Sequence, residues 1–466
     1  MPIDLNAINT KQKVLADMKV QLKSEFFGLD AEIDKITDSI YAWHVFPELI
    51  TRPVIVNLWG MTGNGKTSVV RRIAQLLNFF DRFVEIQMDG VSGGSGYYQS
   101  SIAAILGDSS IEEGKPGILL LDELQRFRTI DEAGHEAKVS RFQDVWMLLS
   151  DGKFASDSTI FREVEDILAQ QEWHTDRKNS GLCDDEDDDE EPRKPAKFSF
   201  SPYEAQRFKR LLRLPDSLQE IMLWNIGRIN SELMSIRTRM TSWEIDYTKL
   251  LIFVSGNLDD VFSGSGATED CDTDADIYHD LTKKISLSDV KSSLADRFRP
   301  EQVARLGNNH IIYPSLSKSS YSSLIKRTCS NYVKEMKDIS GLDITLDPEI
   351  YQEIYENSVY PTQGTRPVFS SVHKIFSSAL SNIAVWALEN DLVELHLTLD
   401  AANQMLIGTS GSKSFNFPVE LDLRSRRKKT TIDFTTMVAV HEAGHALIYA
   451  LLFKKAPLEV KINVVS

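Results

Sequence analysis

The stretch "PVIVNLWGMTGNGKTSVV" (53–70) constrains this chain more than any other. An apolar run from Val54 to Trp59 enters a glycine-rich turn, and a helical pattern, "KTSVVRRIAQLLNFF", leaves it. A strand, a Gly-x-x-x-x-Gly-Lys-Thr turn and a helix in that order make a phosphate cradle. Glycines let successive backbone N–H groups point inward at phosphate oxygens. The helix N-terminus adds the positive end of its dipole. In this pattern Lys66 reaches the β- and γ-phosphates and the Thr67 hydroxyl ligates Mg²⁺. Gly60, Thr62, Gly63, Asn64, Gly65 and Ser68 complete the expected nucleotide-binding set.

Three further runs read as strands: "FVEIQMD" (83–89), "PGILLLDEL" (116–124) and "KLLIFVSGN" (249–257). Each is apolar throughout and alternates with helical segments, which predicts an α/β fold with a parallel sheet covered by helices on both faces. "ILLLDE" (118–123) delivers Asp122 and Glu123 to the C-terminal edge of that sheet, where such folds bind ligands. Asp122 is expected to hold Mg²⁺ through water, and Glu123 to polarise an attacking water.

Around this core the chain divides into an N-terminal helical segment (1–25), a nucleotide-binding subdomain (26–310), a small lid subdomain (311–410), a linker (411–430) and a last segment (431–466). Within the lid, "LVELHLTL" (392–399) and "NQMLIG" (403–408) read as a hairpin, and "TSGSKS" (409–414) as linker. The nucleotide-binding subdomain is interrupted at about 155–245 by a charged insertion. It holds eight consecutive acids, 184–191, read as a solvated loop or as an acidic docking tail. The basic run "RSRRKKTT" (424–431) reads as solvated.

The formal net charge of −16 argues against a chain whose main business is gripping nucleic acid. Cys183, Cys271 and Cys329 lie far apart and read as reduced thiols. The N-terminus carries no apolar signal region, and no run matches the roughly 18–20 apolar residues of a membrane helix. The expectation is a soluble, cytoplasmic protein with no membrane partner.

The motifs taken in order resemble an AAA+ ATPase of the Clp/HslU unfoldase clade. "SGN" (255–257) is similar to the sensor-1 segment, so Asn257 would contact the γ-phosphate or the water. "ADRFRPEQVARLG" (295–307) resembles the clade's arginine-finger segment, with Arg305 as the finger reaching a neighbouring subunit's ATP and Arg299 as runner-up. "QGTRP" (363–367) resembles the Gly-Ala-Arg sensor-2 motif and points to Arg366; "FFGLDAEI" (26–33) resembles the segment near the adenine. The resemblance implies a homo-hexamer that binds ATP and Mg²⁺ and works on polypeptides. "SGGSGYYQSSI" (92–102) lies where this clade places its pore loop, so Tyr97 and Tyr98 would grip a threaded chain. Gln99 replaces the pattern's second glycine, and two tyrosines packed under a loop are the alternative. No Lys or Arg occurs between 91 and 111, unlike the basic loops of nucleic-acid motors.

"HEAGH" (441–445) sets His441 and His445 one helical turn apart, where both can bind Zn²⁺ with Glu442 as general base. "VHEAGHAL" resembles the signature of FtsH-type ATP-dependent metalloproteases. No third ligand is evident in the 21 residues after His445, where Glu459 is the sole acid. "PLEVKINVV" resembles the first strand of that peptidase domain, which then stops. The alternative is a helix with two packed or exposed histidines. The leading expectation is therefore an ATP-dependent unfoldase coupled to a zinc metallopeptidase. The alternatives are a remodelling chaperone without proteolysis and a nucleic-acid motor.

Overall fold

The computed structural model describes residues 5–88, 101–130, 134–135, 142–155, 244–263, 275–419, 432–457 and 460, with scattered positions between 202 and 232. Tyr97, Tyr98 and the acidic run at 184–191 lie outside the described residues.

Strands β1 (Val54–Gly60), β2 (Phe83–Gln87) and β3 (Gly117–Asp122) come first. A two-strand antiparallel ribbon follows, β4 (Lys153–Ala155) with β5 (Glu244–Asp246), and then β6 (Leu250–Gly256) and β7 (His310–Tyr313). The main sheet is ordered β2-β3-β6-β1-β7 and all its pairings are parallel. Residue alternation sorts β3 and β6 onto two cores. Leu120 and Phe253 join one buried cluster, with helices α1 (Leu5–Glu25), α2 (Asp30–Val45) and α3 (Lys66–Leu76). Leu119 and Ile252 join the other, under helices Ile102–Asp108, Val145–Asp151 and Leu287–Ala295. Every residue of β3 and β6 is buried, as their unbroken apolar sequence requires. This is a mixed α/β fold with a parallel central sheet covered by helices on both faces, as the sequence predicts. β7 runs through residue 311, where the sequence reading starts the lid, and belongs to the main sheet. Only four residues, "HIIY", pair with β1, too few to show a period in the sequence.

The lid contains helices Lys318–Ser340, Pro348–Ser358 and Arg366–Glu389. They pack on a sheet ordered β11-β10-β9-β8, built from β8 (Asp343–Leu346), β9 (Glu394–Asp400), β10 (Met405–Ser410) and β11 (Lys413–Pro418). The β9–β10 hairpin agrees with the sequence reading. β11 does not, because residues 413–418 were expected in a linker. Lys413, Ser414 and Asn416 around Phe415 and Phe417 disguise a period-2 strand, yet Phe415 stacks on Trp386 with ring centroids 5.3 Å apart. The lid's apolar residues are continuous with the α1–α3 side of the main sheet.

Helix Ile432–Phe453 carries the HEAGH motif. Its stretch Thr436–Phe453 is long and apolar enough, by length and composition, to cross a membrane, and none of that stretch is buried. This corrects the expectation that no such segment exists. His441, Glu442 and His445 interrupt the apolar run but do not offset its average.

Candidate functional site

The loops at the C-terminal ends of β1, β3 and β6 converge on one cleft of about 580 Å³. Its walls include Thr62, Gly63, Asn64, Gly65, Lys66, Thr67, Ser68, Asp122, Glu123, Asn257 and Arg366, which the sequence reading scattered over 300 positions. Gly63 and Gly65 have φ of +81° and +83°, left-handed values that glycine adopts without a Cβ penalty. Gly65 is the N-cap of α3, so the loop turns directly into the helix N-terminus. Gly60 ends β1 and its carbonyl accepts a bond from Lys66 Nζ at 2.9 Å. Lys66 Nζ also donates to the Met61 carbonyl at 2.7 Å and to Asn257 Oδ1 at 2.8 Å. A buried ammonium needs such oxygens, and they aim it along the loop.

Asp122 and Glu123 are consecutive, and in a regular strand their side chains would point to opposite faces. Glu123 instead has φ +57°, and its N–H donates to Asp122 Oδ1 at 3.0 Å. This turn brings both carboxylates into the cleft. Asp122 Oδ2 accepts from Thr67 Oγ1 at 3.1 Å and from Gln87 Nε2 at 3.3 Å. A hydroxyl beside a carboxylate is a set of hard oxygen donors that fits Mg²⁺. Asn257 Nδ2 donates both to Glu123 Oε1 at 3.1 Å and to Thr62 Oγ1 at 2.8 Å, so one amide ties the end of β6 to both loops. Glu123 Oε2 accepts from Gln125 Nε2 at 2.6 Å and from Arg126 Nε at 3.1 Å. Gln125 Oε1 in turn accepts from the Asn257 N–H at 2.9 Å. Gln87, Gln125 and Arg126 were missed in the sequence. Their one signal was position beside strand ends.

The far end of the cleft is apolar, with Phe26, Phe27, Leu29, Leu316, Leu324 and Phe369. That chemistry suits a purine base. Beside it, Arg72 grips the Glu25 carboxylate at 2.7 and 2.8 Å and holds it below the usual carboxylate range. The lid closes the cleft by direct contact with the glycine-rich loop. Thr365 N and Oγ1 both donate to the Gly63 carbonyl, at 3.2 and 2.6 Å.

Arg305 is elsewhere. Its Nη1 donates to the Trp146 carbonyl at 2.9 Å, on a depression also lined by Leu49, Arg52, Pro53 and Leu149. Arg299, the N-cap of Arg305's helix, lies 4.0 Å from Glu301. The HEAGH helix also lies apart from the cleft residues. His441 and His445 are exposed with Nε2 atoms 3.0 Å apart. Among the described residues no cluster of three or more His, Cys, Asp or Glu could hold a metal. Two imidazoles fall short of the three protein ligands of a catalytic zinc site, so the described residues do not fit that ion.

The family model for ATPases associated with various cellular activities (AAA) matches residues 56–161, which span β1, the glycine-rich loop, β2 and β3. No curated protein matches the chain. Solved structures with a likeness to it include a Saccharomyces cerevisiae Hsp104–ADP complex. That likeness has 13% identity and a TM-score of 0.46, over 84% of this chain and 52% of that one. An S. cerevisiae Hsp104:casein complex in an extended conformation is similar at 14% identity and a TM-score of 0.43, over 83% and 50%. The aligned part spans about half the length of those yeast chains. The AAA ATPase match is to residues 56–161, the part of the chain that holds the glycine-rich loop, Asp122 and Glu123.

Proposed function

We propose that this chain is an ATP-hydrolysing motor that remodels polypeptides as a chaperone, assembled as a ring in the cytoplasm. The observation that carries the reading is the single cleft in which Lys66, Thr67, Asp122, Glu123, Asn257 and the lid's Arg366 meet. Each has a task there. Lys66 and the loop amides bind the phosphates. Thr67 and Asp122 would hold Mg²⁺, which neutralises phosphate charge when bound. Glu123 orients the attacking water, its carboxylate steadied by Asn257 and Gln125. Arg366 adds a fixed positive charge from the lid. Arg305 lines a different depression, which supports action on a neighbour's nucleotide and hence a ring. The chain's acidity favours polypeptide over nucleic acid as substrate, with Tyr97 and Tyr98 as the gripping residues.

The test is ATP turnover with and without a permanently unfolded protein, beside single-stranded DNA. Stimulation by the unfolded protein and loss of turnover in Glu123→Gln, with ATP still bound, are expected. Stimulation by DNA alone would overturn the substrate assignment.

A second reading couples this motor to a zinc peptidase. It rests on the paired imidazoles of His441 and His445 beside Glu442 and needs a third ligand from outside the described residues. Degradation of the same unfolded protein, lost in Glu442→Gln with ATPase retained, is the result it requires. ATPase stimulation without degradation leaves the chaperone.

A further inference from the structure

We propose that Thr365 is a positioning residue that clamps the lid to the phosphate-binding loop and thereby sets how long nucleotide is retained. The inference rests on the nucleotide-site reading above and deepens it.

Thr365 stands where the resembled sensor-2 motif has alanine. Its hydroxyl adds a 2.6 Å bond to the Gly63 carbonyl, which already accepts the Thr365 N–H at 3.2 Å. In a planar trans peptide the C=O and the next N–H point in opposite directions. Holding the Gly63 carbonyl on the lid therefore fixes the direction of the Asn64 N–H, one of the amides of the phosphate cradle. Gly364 makes the approach possible. A Cβ there would lie 2.5 Å from the Thr62 carbonyl oxygen.

A second tether runs to the main-sheet side of the loop. Asn64 Nδ2 donates at 3.2 Å to the carbonyl of Pro314, in the segment between β7 and the first lid helix. The loop is thus held on one side by the lid and on the other by the residue that follows β7 of the main sheet. Any lid rotation that breaks the Thr365 contact frees the 63–64 peptide, and with it one phosphate donor. Conversely, phosphate held by the loop keeps that carbonyl presented to Thr365. The pairing makes lid position and nucleotide retention one equilibrium, reciprocal by linkage.

The experiment compares wild type, Thr365→Ala, Thr365→Ser and Lys66→Ala by stopped-flow release of fluorescent ADP, by kcat and KM for ATP, and by Tm without nucleotide. Loss of one hydrogen bond to a backbone acceptor predicts ADP release and KM raised about three- to tenfold in Thr365→Ala. kcat should stay within about twofold, because Glu123 is untouched. Thr365→Ser should restore wild-type release, and the Tm of both Thr365 variants should lie within about 4 °C of wild type, as loss of one hydrogen bond allows. Wild-type release rates in Thr365→Ala would overturn the clamp while leaving the nucleotide site standing. Equal loss in Ala and Ser, or a Tm lowered by more than about 4 °C in Thr365→Ala, would reduce Thr365 to a packing role and also overturn it. ADP binding undiminished in Lys66→Ala would remove the nucleotide reading and the clamp together.

Discussion

Replacing Gly364 by alanine probes the closest backbone contact between lid and cleft. Gly364 has φ +69° and ψ −146°, a region that residues with a Cβ essentially avoid, at a cost on the order of 1–3 kcal/mol. The added Cβ would stand 2.5 Å from the Thr62 carbonyl oxygen and 3.0 Å from the Gly63 carbonyl carbon. Ordinary C···O contacts begin near about 3.3 Å, so the lid must retreat by about 0.8 Å. A retreat of that size strains both Thr365 bonds to Gly63, each worth about 1 kcal/mol. The docked lid is then disfavoured by about 2–4 kcal/mol, and at 1.4 kcal/mol per tenfold the ADP affinity falls at least about tenfold. Titration calorimetry with ADP measures this, with Tm in the absence of nucleotide as the control for folding. An affinity within about twofold of wild type, at unchanged Tm, would refute the idea that the lid rests on the loop backbone in solution.

Arg305→Ala should keep ATP binding and lose turnover. Mixed with Glu123→Gln it should regain part of the activity, since one subunit then supplies the arginine and its neighbour the carboxylate; no rescue would place Arg305's effect within its own subunit. Asp260 carries a pH signature. Burial alone would push its carboxyl up, but bonds from Arg297 at 2.7 and 3.1 Å, with the Arg297 charge and Ser293, outweigh that and hold it below the usual range. Its stabilisation is therefore present above the unfolded value, about 4, and fades as pH falls from there through the lower folded value. Asp260→Asn should accordingly lose less Tm than wild type between about pH 5 and pH 3, and parallel curves would count against the pair. Lys66→Ala should abolish nucleotide binding, read by the same calorimetry, and tight ADP binding in that variant would dismiss the cradle.

What was legible in the sequence is what local geometry demands. Gly63 and Gly65 need positive φ, Lys66 and Thr67 must open a helix, and β3 and β6 must be apolar on both faces, so the motif and the sheet announce themselves. The partners that finish the site are non-local. Gln125 meets Asn257 across 132 positions and Thr365 meets Gly63 across 302, and no period or spacing encodes either meeting. The turn at Glu123 was hidden for another reason: a left-handed glutamate looks like any other in a sequence. β11 and β7 escaped because one hides its alternation among polar residues and the other is four residues long.

The small ribbon β4–β5 has a consequence for how this chain tolerates change. β3 and β6 are neighbours in the sheet, and the chain beyond Ala155 leaves and returns through Phe154 paired with Ile245. Gly152 and Tyr247 extend the fastening with a 2.8 Å bond below that pair. The ribbon joins the two ends of residues 156–243 at a neck, and the cost of closing a stretch of chain grows only as the logarithm of its length. The neck therefore acts as a socket. Changes of length within residues 156–243 cost little at the neck, where the pairing keeps the register that holds Glu123 beside Asn257.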